Sequence, residues 1–215
     1  MELFIFWLEI IGTISFAISG ALTGLGKRMD IFGVCILGLT TATGGGMIRD
    51  LILGITPPAA FGNPIYVLIS LAVSIIVFVI YVWNQKTDRL ESRRGLFDFI
   101  MLLTDSAGLG VFTVCGVKAA IEAGFIGNKF LVIFVAVVTG VGGGVLRDIF
   151  AGDRPYIFVK HVYACASLVG AVICTLMWSF AGSSIGMTVG FALVLIIRIC
   201  AARFRWSLPR PKSEK

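Results

Sequence analysis

Residues 40–56 read TTATGGGMIRDLILGIT, and residues 138–154 read VTGVGGGVLRDIFAGDR. Each stretch sets three consecutive glycines and then an Arg-Asp pair into an otherwise apolar run. Glycine in a helix interior costs about 1 kcal/mol relative to alanine, and charged side chains at membrane depth are rare and expensive. A chain that accepts both penalties at two matching places carries an internal repeat, and the glycines and charges are its marked positions.

The surroundings are oily enough to make membrane depth the relevant setting. Of the 215 residues, 58% are hydrophobic and 14% charged, with a mean hydropathy of +0.98. Globular soluble domains hold about a quarter charged residues. Runs of roughly 18 or more mostly apolar residues can each cross about 30 Å of hydrocarbon as a helix. Seven such spans are expected, at roughly 3–25, 30–55, 63–84, 96–117, 129–152, 156–180 and 187–205. The first carries no basic residue ahead of it and two acids, Glu2 and Glu9, so it reads as a span rather than a signal peptide. Together they predict an all-α membrane protein with a single transmembrane domain over 1–205 and a short basic tail at 206–215.

Lys and Arg divide unevenly between alternate loops. One set holds Lys27, Arg28, Lys86, Arg89, Arg93, Arg94, Arg154, Lys160 and the tail; the other holds Lys118 and Lys129. The positive-inside rule then puts the N-terminus outside and the C-terminus in the cytoplasm. Trp7, Trp83, Trp178 and Trp206 fall near span ends, where indole rings favour the interface. The net charge of +6 is orientation rather than a nucleic-acid footprint, because the basic residues form no face interleaved with aromatics. The loop NQKTDRLESRR could meet anionic lipid on the same charge. Cys35, Cys115, Cys165, Cys174 and Cys200 form no CxxC pair and read as small buried hydrophobes, and His161 reads as a helix-end residue, not a ligand. No metal site, cofactor or catalytic constellation is expected, and the protein is not read as an enzyme.

The repeat extends well beyond its marked stretches. EIIGTISFAISGA (9–21) aligns with DSAGLGVFTVCGV (105–117), placing Glu9 on Asp105, Gly12 on Gly108, Phe16 on Phe112 and Gly20 on Gly116. With a two-residue insertion, Gly44, Gly45 and Gly46 fall on Gly142, Gly143 and Gly144. Arg49 and Asp50 fall on Arg147 and Asp148, Gly54 on Gly152 and Pro57 on Pro155. Repeat 1 covers about 3–84 and repeat 2 about 96–180. Three spans per repeat is an odd number, so the second copy enters the membrane inverted. Inverted repeats with interrupted helices at matching positions mark a permeation or transport site at their interface. The span at 187–205 is unpaired and is expected to pack outside the six-helix core.

Gly12, Gly20, Gly108 and Gly116 suit close helix packing. Three adjacent glycines face three directions, so the triplets point to a kink or short unwinding, worth about 3 kcal/mol of lost helix propensity each, with simple close packing as the alternative. Unpaired backbone at that depth needs protein or a wet cavity beside it. A phosphate-cradling loop is excluded, since neither copy carries the Lys-Ser/Thr of one. Adjacent residues diverge by about 100° on a helix, so Arg49 and Asp50 are not expected to pair with each other, nor Arg147 with Asp148. The expectation is pairing of some charges across the repeat interface with others facing a wet pore; the alternative is a purely structural buried ion-pair cluster. Glu9 and Asp105 either attract cations or bond to nearby backbone. Lys118, at the outer end of span 4, is a candidate gate or a snorkelling anchor, and Arg198 is expected to snorkel or find a neighbour.

The doubled GGGMIRD and GGGVLRD, with GTISFAISGA in span 1, RPYIFVK entering span 6 and the closing RWSLP, resemble the bacterial branch of the TRIC family, the trimeric intracellular cation channels. This group is also labelled UPF0126 or a glycine transporter domain, and the resemblance covers essentially the whole chain. It implies a homotrimer with a K⁺- and Na⁺-permeable pore in each protomer, between helices 2 and 5 kinked at glycines 44–46 and 142–144. It also leaves room for a lipid at the trimer centre. The Lys-Glu-Val motif tied to phosphoinositide binding in animal members is absent, so that dependence does not carry over. The alternative is a secondary transporter of glycine or a similar small solute in the same membrane.

Overall fold

The computed structural model describes residues 2–85, 94–159 and 162–206. The basic loop at 86–93, Lys160, His161 and the tail beyond Trp206 lie outside the described residues, as do the expectations placed on them. Among the described residues there are seven long helices: α1 Glu2–Gly26, α2 Ile31–Leu53, α3 Ile65–Gln85, α4 Arg94–Ala120, α5 Lys129–Phe150, α6 Tyr163–Ala181 and α7 Ser183–Arg203. All seven meet the length and hydropathy needed to cross a membrane.

Local chemistry sets the ends of the marked helices, and does so twice. Asp30 caps α2 by accepting the Gly33 N–H at 2.8 Å, and Asn128 caps α5 by accepting the Leu131 N–H at 3.1 Å. A side-chain acceptor here satisfies one of the amides that a helix start leaves unpaired. At the far ends, Gly54 (φ 72°) and Gly152 (φ 71°) take the left-handed conformation that stops the helix. The Ile55 N–H then returns to Asp50 O and the Asp153 N–H to Asp148 O, both at 2.8 Å. Beyond each stop comes one helical turn, Ala59–Gly62 or Tyr156–Val159, before the next span.

Three boundaries depart from expectation. Span 4 runs on from Ala120 through a π-helical turn, Ile121–Phe125, that ends around Gly124 at φ 92°. Span 6 begins at Tyr163 rather than 156, because the chain makes its single turn first and Val162 sits at φ 68°, outside the helix. Span 7 begins at Ser183, four residues early, after Gly182 at φ 86°.

The repeats are joined through α1–α4 and α2–α5 contacts. The packing is reciprocal, as a two-fold relation requires. A Cβ on Gly12 would lie 2.6 Å from Val111 Cγ1 and 3.4 Å from the Phe112 ring, while one on Gly108 would run into the ring of Phe16. Within each repeat, Gly20 lets α1 meet α2 at Thr41, and Gly116 lets α4 meet α5 at Thr139. Both threonine hydroxyls are turned back onto their own helix, to Leu37 O and Val135 O at 2.6 Å, so neither hydroxyl is stranded at this contact. The fold is thus two inverted three-helix bundles. The extra helix α7 lies outside them against α6 and α4.

Candidate functional site

Both glycine triplets lie inside continuous helix, Ile31–Leu53 and Lys129–Phe150. The expected unwinding does not occur. The triplets instead let α2 and α5 touch backbone to backbone. A Cβ on Gly45 would collide with the Thr139 carbonyl oxygen, and one on Gly143 with the Thr41 carbonyl oxygen. Gly44 faces Leu146 Cδ1 at 2.5 Å from a built Cβ, and Gly142 faces Ile48 Cδ1 at 3.4 Å. The first two glycines of each triplet are needed, because a neighbouring backbone crosses one or both and a side chain covers the other. The third glycines differ: Gly144 would meet the Tyr163 hydroxyl at 2.7 Å, whereas Gly46 would meet only Arg49 Nη2, at 3.9 Å.

The charges gather on either side of this seam, and their pairing corrects the sequence expectation. Arg49 Nε donates to Asp50 Oδ1 at 2.8 Å, and Arg147 Nε to Asp148 Oδ1 at 2.9 Å. The Nη2 atoms reach the same oxygens at 2.8 Å. Adjacent Cα–Cβ directions do diverge on a helix, but the arginine stem is long enough to fold sideways and present its guanidinium edge-on. Each aspartate's second oxygen closes the following loop: Asp50 Oδ2 accepts the Ala59 N–H at 2.8 Å, and Asp148 Oδ2 the Tyr156 N–H at 2.7 Å. The Arg-Asp pair is therefore a clamp from the end of α2 or α5 to the turn that follows. Among the described residues, the bond it sends across the repeat interface is from Arg147 Nη1 to Ser19 Oγ, at 2.6 Å.

Repeat 2 adds a buried network. Arg147 is fully enclosed and its Nη1 contacts Asp105 Oδ1 at 2.5 Å. Arg198, from α7, lies 3.5 Å from Asp105 Oδ2, so it finds a neighbour rather than snorkelling. Tyr163 donates to Asp105 Oδ1 at 3.4 Å. The guanidinium of Arg147 sits 4.8 Å from the Tyr156 ring centre and that of Arg198 4.7 Å from the Tyr163 ring centre, which favours cations desolvated among aromatics. Two arginines face two aspartates, and the net charge is zero.

Repeat 1 presents the same parts in a looser arrangement. Glu9, the counterpart of Asp105, accepts a hydrogen bond from Tyr66 at 2.5 Å, and both are half-buried. Tyr66 and Tyr163 occupy the first turns of α3 and α6. Carrying the repeat alignment past Pro57 and Pro155 brings them to within one position of each other, and carrying it backward pairs Asp30 with Asn128. Ser19 and the loop amides gave no sequence signal. Lys118 pairs with Glu122 at 2.8 Å across the start of the π-turn.

Inverted three-helix repeats, an unpaired seventh helix and buried charge clusters beside a glycine seam define a polytopic membrane protein of the kind that houses a solute pathway. The chain belongs to the glycine transporter family, whose model matches residues 6–82 and again 102–179; its relatives are UPF0126 membrane proteins, and it matches solved prokaryotic TRIC channels. The UPF0126 membrane protein YvgT of Bacillus subtilis is 35% identical over 207 residues, 94% of each chain. A prokaryotic TRIC channel superposes with a TM-score of 0.86 at 34% identity, covering 97% of this chain and 100% of that one. The TRIC trimeric intracellular cation channel orthologue from Rhodobacter sphaeroides follows at 0.82 and 32%, over 94% and 98%.

Proposed function

We propose that the protein is a passive channel for monovalent cations, K⁺ and Na⁺ among them, with a pathway in each protomer flanking the α2–α5 seam. The observation that carries this reading is the reciprocal contact of the two triplets. At that level the helices meet glycine against backbone, with only Leu146 and Ile48 reaching over from the facing helix, so few side chains interlock where the two would separate and reseal. In the state described here the seam is closed, and the flanking clusters place carboxylates near both of its ends. The solved relatives are cation channels, not enzymes, by name.

The R. sphaeroides relative is named as trimeric, and a homotrimer in lipid is the assembly proposed for this chain. Lys27 and Asp153 meet at 2.6 Å, so the α1–α2 and α5–α6 connections share one face. The excess of basic residues on that face supports a cytoplasmic assignment, with the N-terminus outside. Lys118 then lies toward the outer mouth as a gating charge.

The family model's name favours a second reading, secondary transport of glycine. Purified protein in planar bilayers and in liposomes separates the two. Unitary K⁺ currents without saturable glycine uptake support the channel; saturable uptake of radiolabelled glycine with no unitary current replaces it with the transporter.

A further inference from the structure

The two acids that the repeat makes equivalent are treated differently. Asp105 is buried, and two guanidinium groups lie against it, from Arg147 at 2.5 Å and Arg198 at 3.5 Å. Glu9 is half-buried, with the Tyr66 hydroxyl as its partner and no basic group within ion-pair distance among the described residues. Arg49, the counterpart of Arg147, is turned entirely to Asp50. Arg198 has no counterpart, because α7 is the helix outside the repeat. The Tyr163 hydroxyl also fills the space over Gly144, while the matching space over Gly46 is open except for Arg49.

We propose that Glu9, steadied by Tyr66, is a binding site for a bare monovalent cation, and that Arg198 is the tethered cation occupying the equivalent site of repeat 2. The proposal deepens the cation-channel reading and rests on it for the ion's route. A carboxylate offers about four lone-pair positions, and a single phenol hydroxyl uses one of them. A partly desolvated acid without a basic partner attracts a mobile cation more strongly than it would in water. Asp105 holds the equivalent place but is buried and bound by Arg147 at Oδ1, and its second oxygen faces a positive charge that the protein supplies from its own seventh helix. One of the two pseudo-symmetric acids is thereby silenced, leaving a single ion-binding carboxylate in each protomer.

Purified wild-type, Glu9→Gln and Glu9→Asp proteins are melted in detergent across a KCl series held at constant ionic strength with choline chloride. Binding to the folded state alone raises the melting temperature with K⁺ concentration. The wild type should show that rise, Glu9→Asp should keep it, and Glu9→Gln should need at least about tenfold more K⁺ for the same shift. A wild type indifferent to K⁺, or a Glu9→Gln protein with the wild-type response, overturns the proposal. Arg198→Gln uncovers Asp105 Oδ2 while Oδ1 stays with Arg147, so its K⁺ response should exceed that of the wild type, and adding Asp105→Asn should abolish the gain. A folded Arg198→Gln protein with no gain overturns the role given to Arg198. Tl⁺ influx into dye-loaded liposomes is measured in parallel. If the wild type passes no Tl⁺ yet binds K⁺ through Glu9, the channel reading fails and the site stands.

Discussion

The rings of Phe16 in α1 and Phe112 in α4 lie 5.2 Å apart, and each belongs to the position the repeat assigns to the other. They are one residue seen twice, meeting itself near the axis that relates the two bundles. Phe16 fills the hollow left by Gly108, and Phe112 borders the one left by Gly12. A phenylalanine facing a glycine, twice, fixes the register of one inverted bundle against the other.

Gly108→Ala should therefore be costly although alanine is the better helix former. The added methyl would enter the Phe16 ring, closer than any real contact, and overpacking of this kind costs about 1–3 kcal/mol against the ~1 kcal/mol gained in propensity. A fall in melting temperature is expected, and Phe16→Leu in the same chain should recover much of it. If Phe16→Leu only adds to the loss, the ring is not what the methyl strikes.

Neighbours within one triplet should behave oppositely. At Gly45 a methyl would strike the Thr139 carbonyl, backbone that cannot rotate away, so Gly45→Ala should destabilise by about 1–3 kcal/mol. At Gly46 the nearest atom is 3.9 Å off, so Gly46→Ala should be neutral or stabilise by up to about 1 kcal/mol. Thermal unfolding of the two proteins decides it. Equal losses would mean that the triplet acts through local flexibility and not through contact.

The sequence carried the architecture further than the site. Apolar run length predicts seven spans because the bilayer sets one length for all of them, and the matched glycines disclose the inverted repeat. Whether the triplets kink the helix or pack it closely was not legible. A glycine's weak helix propensity is a property of the residue, whereas the approach of Thr41 and Thr139 is a property of two helices at once. The Arg49–Asp50 and Arg147–Asp148 clamps were hidden for a related reason. Angular spacing on a helix describes where side chains leave the backbone, not where a flexible guanidinium ends.

Arg147 should be the least replaceable charge. Arg147→Met leaves Asp105 with Arg198 at 3.5 Å and Asp148 with the Tyr156 amide, two buried carboxylates short of a cation. Stripping one partner from a buried ion pair costs about 3–5 kcal/mol. Arg147→Lys should not rescue, since one ammonium cannot serve Ser19, Asp105 and Asp148 together as the planar fork does. Yield of folded protein after detergent extraction is the readout, and a well-folded Lys variant would argue that charge alone suffices.

Asp50→Asn and Asp148→Asn separate structure from permeation. Both carboxylates have their two oxygens engaged, one by the arginine and one by a loop amide, so neither is available to a passing ion. Each substitution should lower stability, by about 1–3 kcal/mol for a charge-assisted hydrogen bond, while unitary K⁺ conductance stays unchanged. A conductance that drops in step with the lost charge would place that carboxylate on the ion's path.

Lys118 offers the reverse combination. Its bridge to Glu122 spans one helical turn, and Glu122 is more than half exposed, so the pair contributes roughly 0.3–0.5 kcal/mol. Lys118→Gln should then leave the melting temperature nearly unmoved. If its ammonium repels cations at the outer mouth, the same change should raise K⁺ current, most at low ionic strength where the charge is least screened. Current is recorded at two salt concentrations spanning the Debye length. A rise at low salt that shrinks at high salt assigns Lys118 to the gate, and a current unchanged at both confines it to anchoring the end of α4.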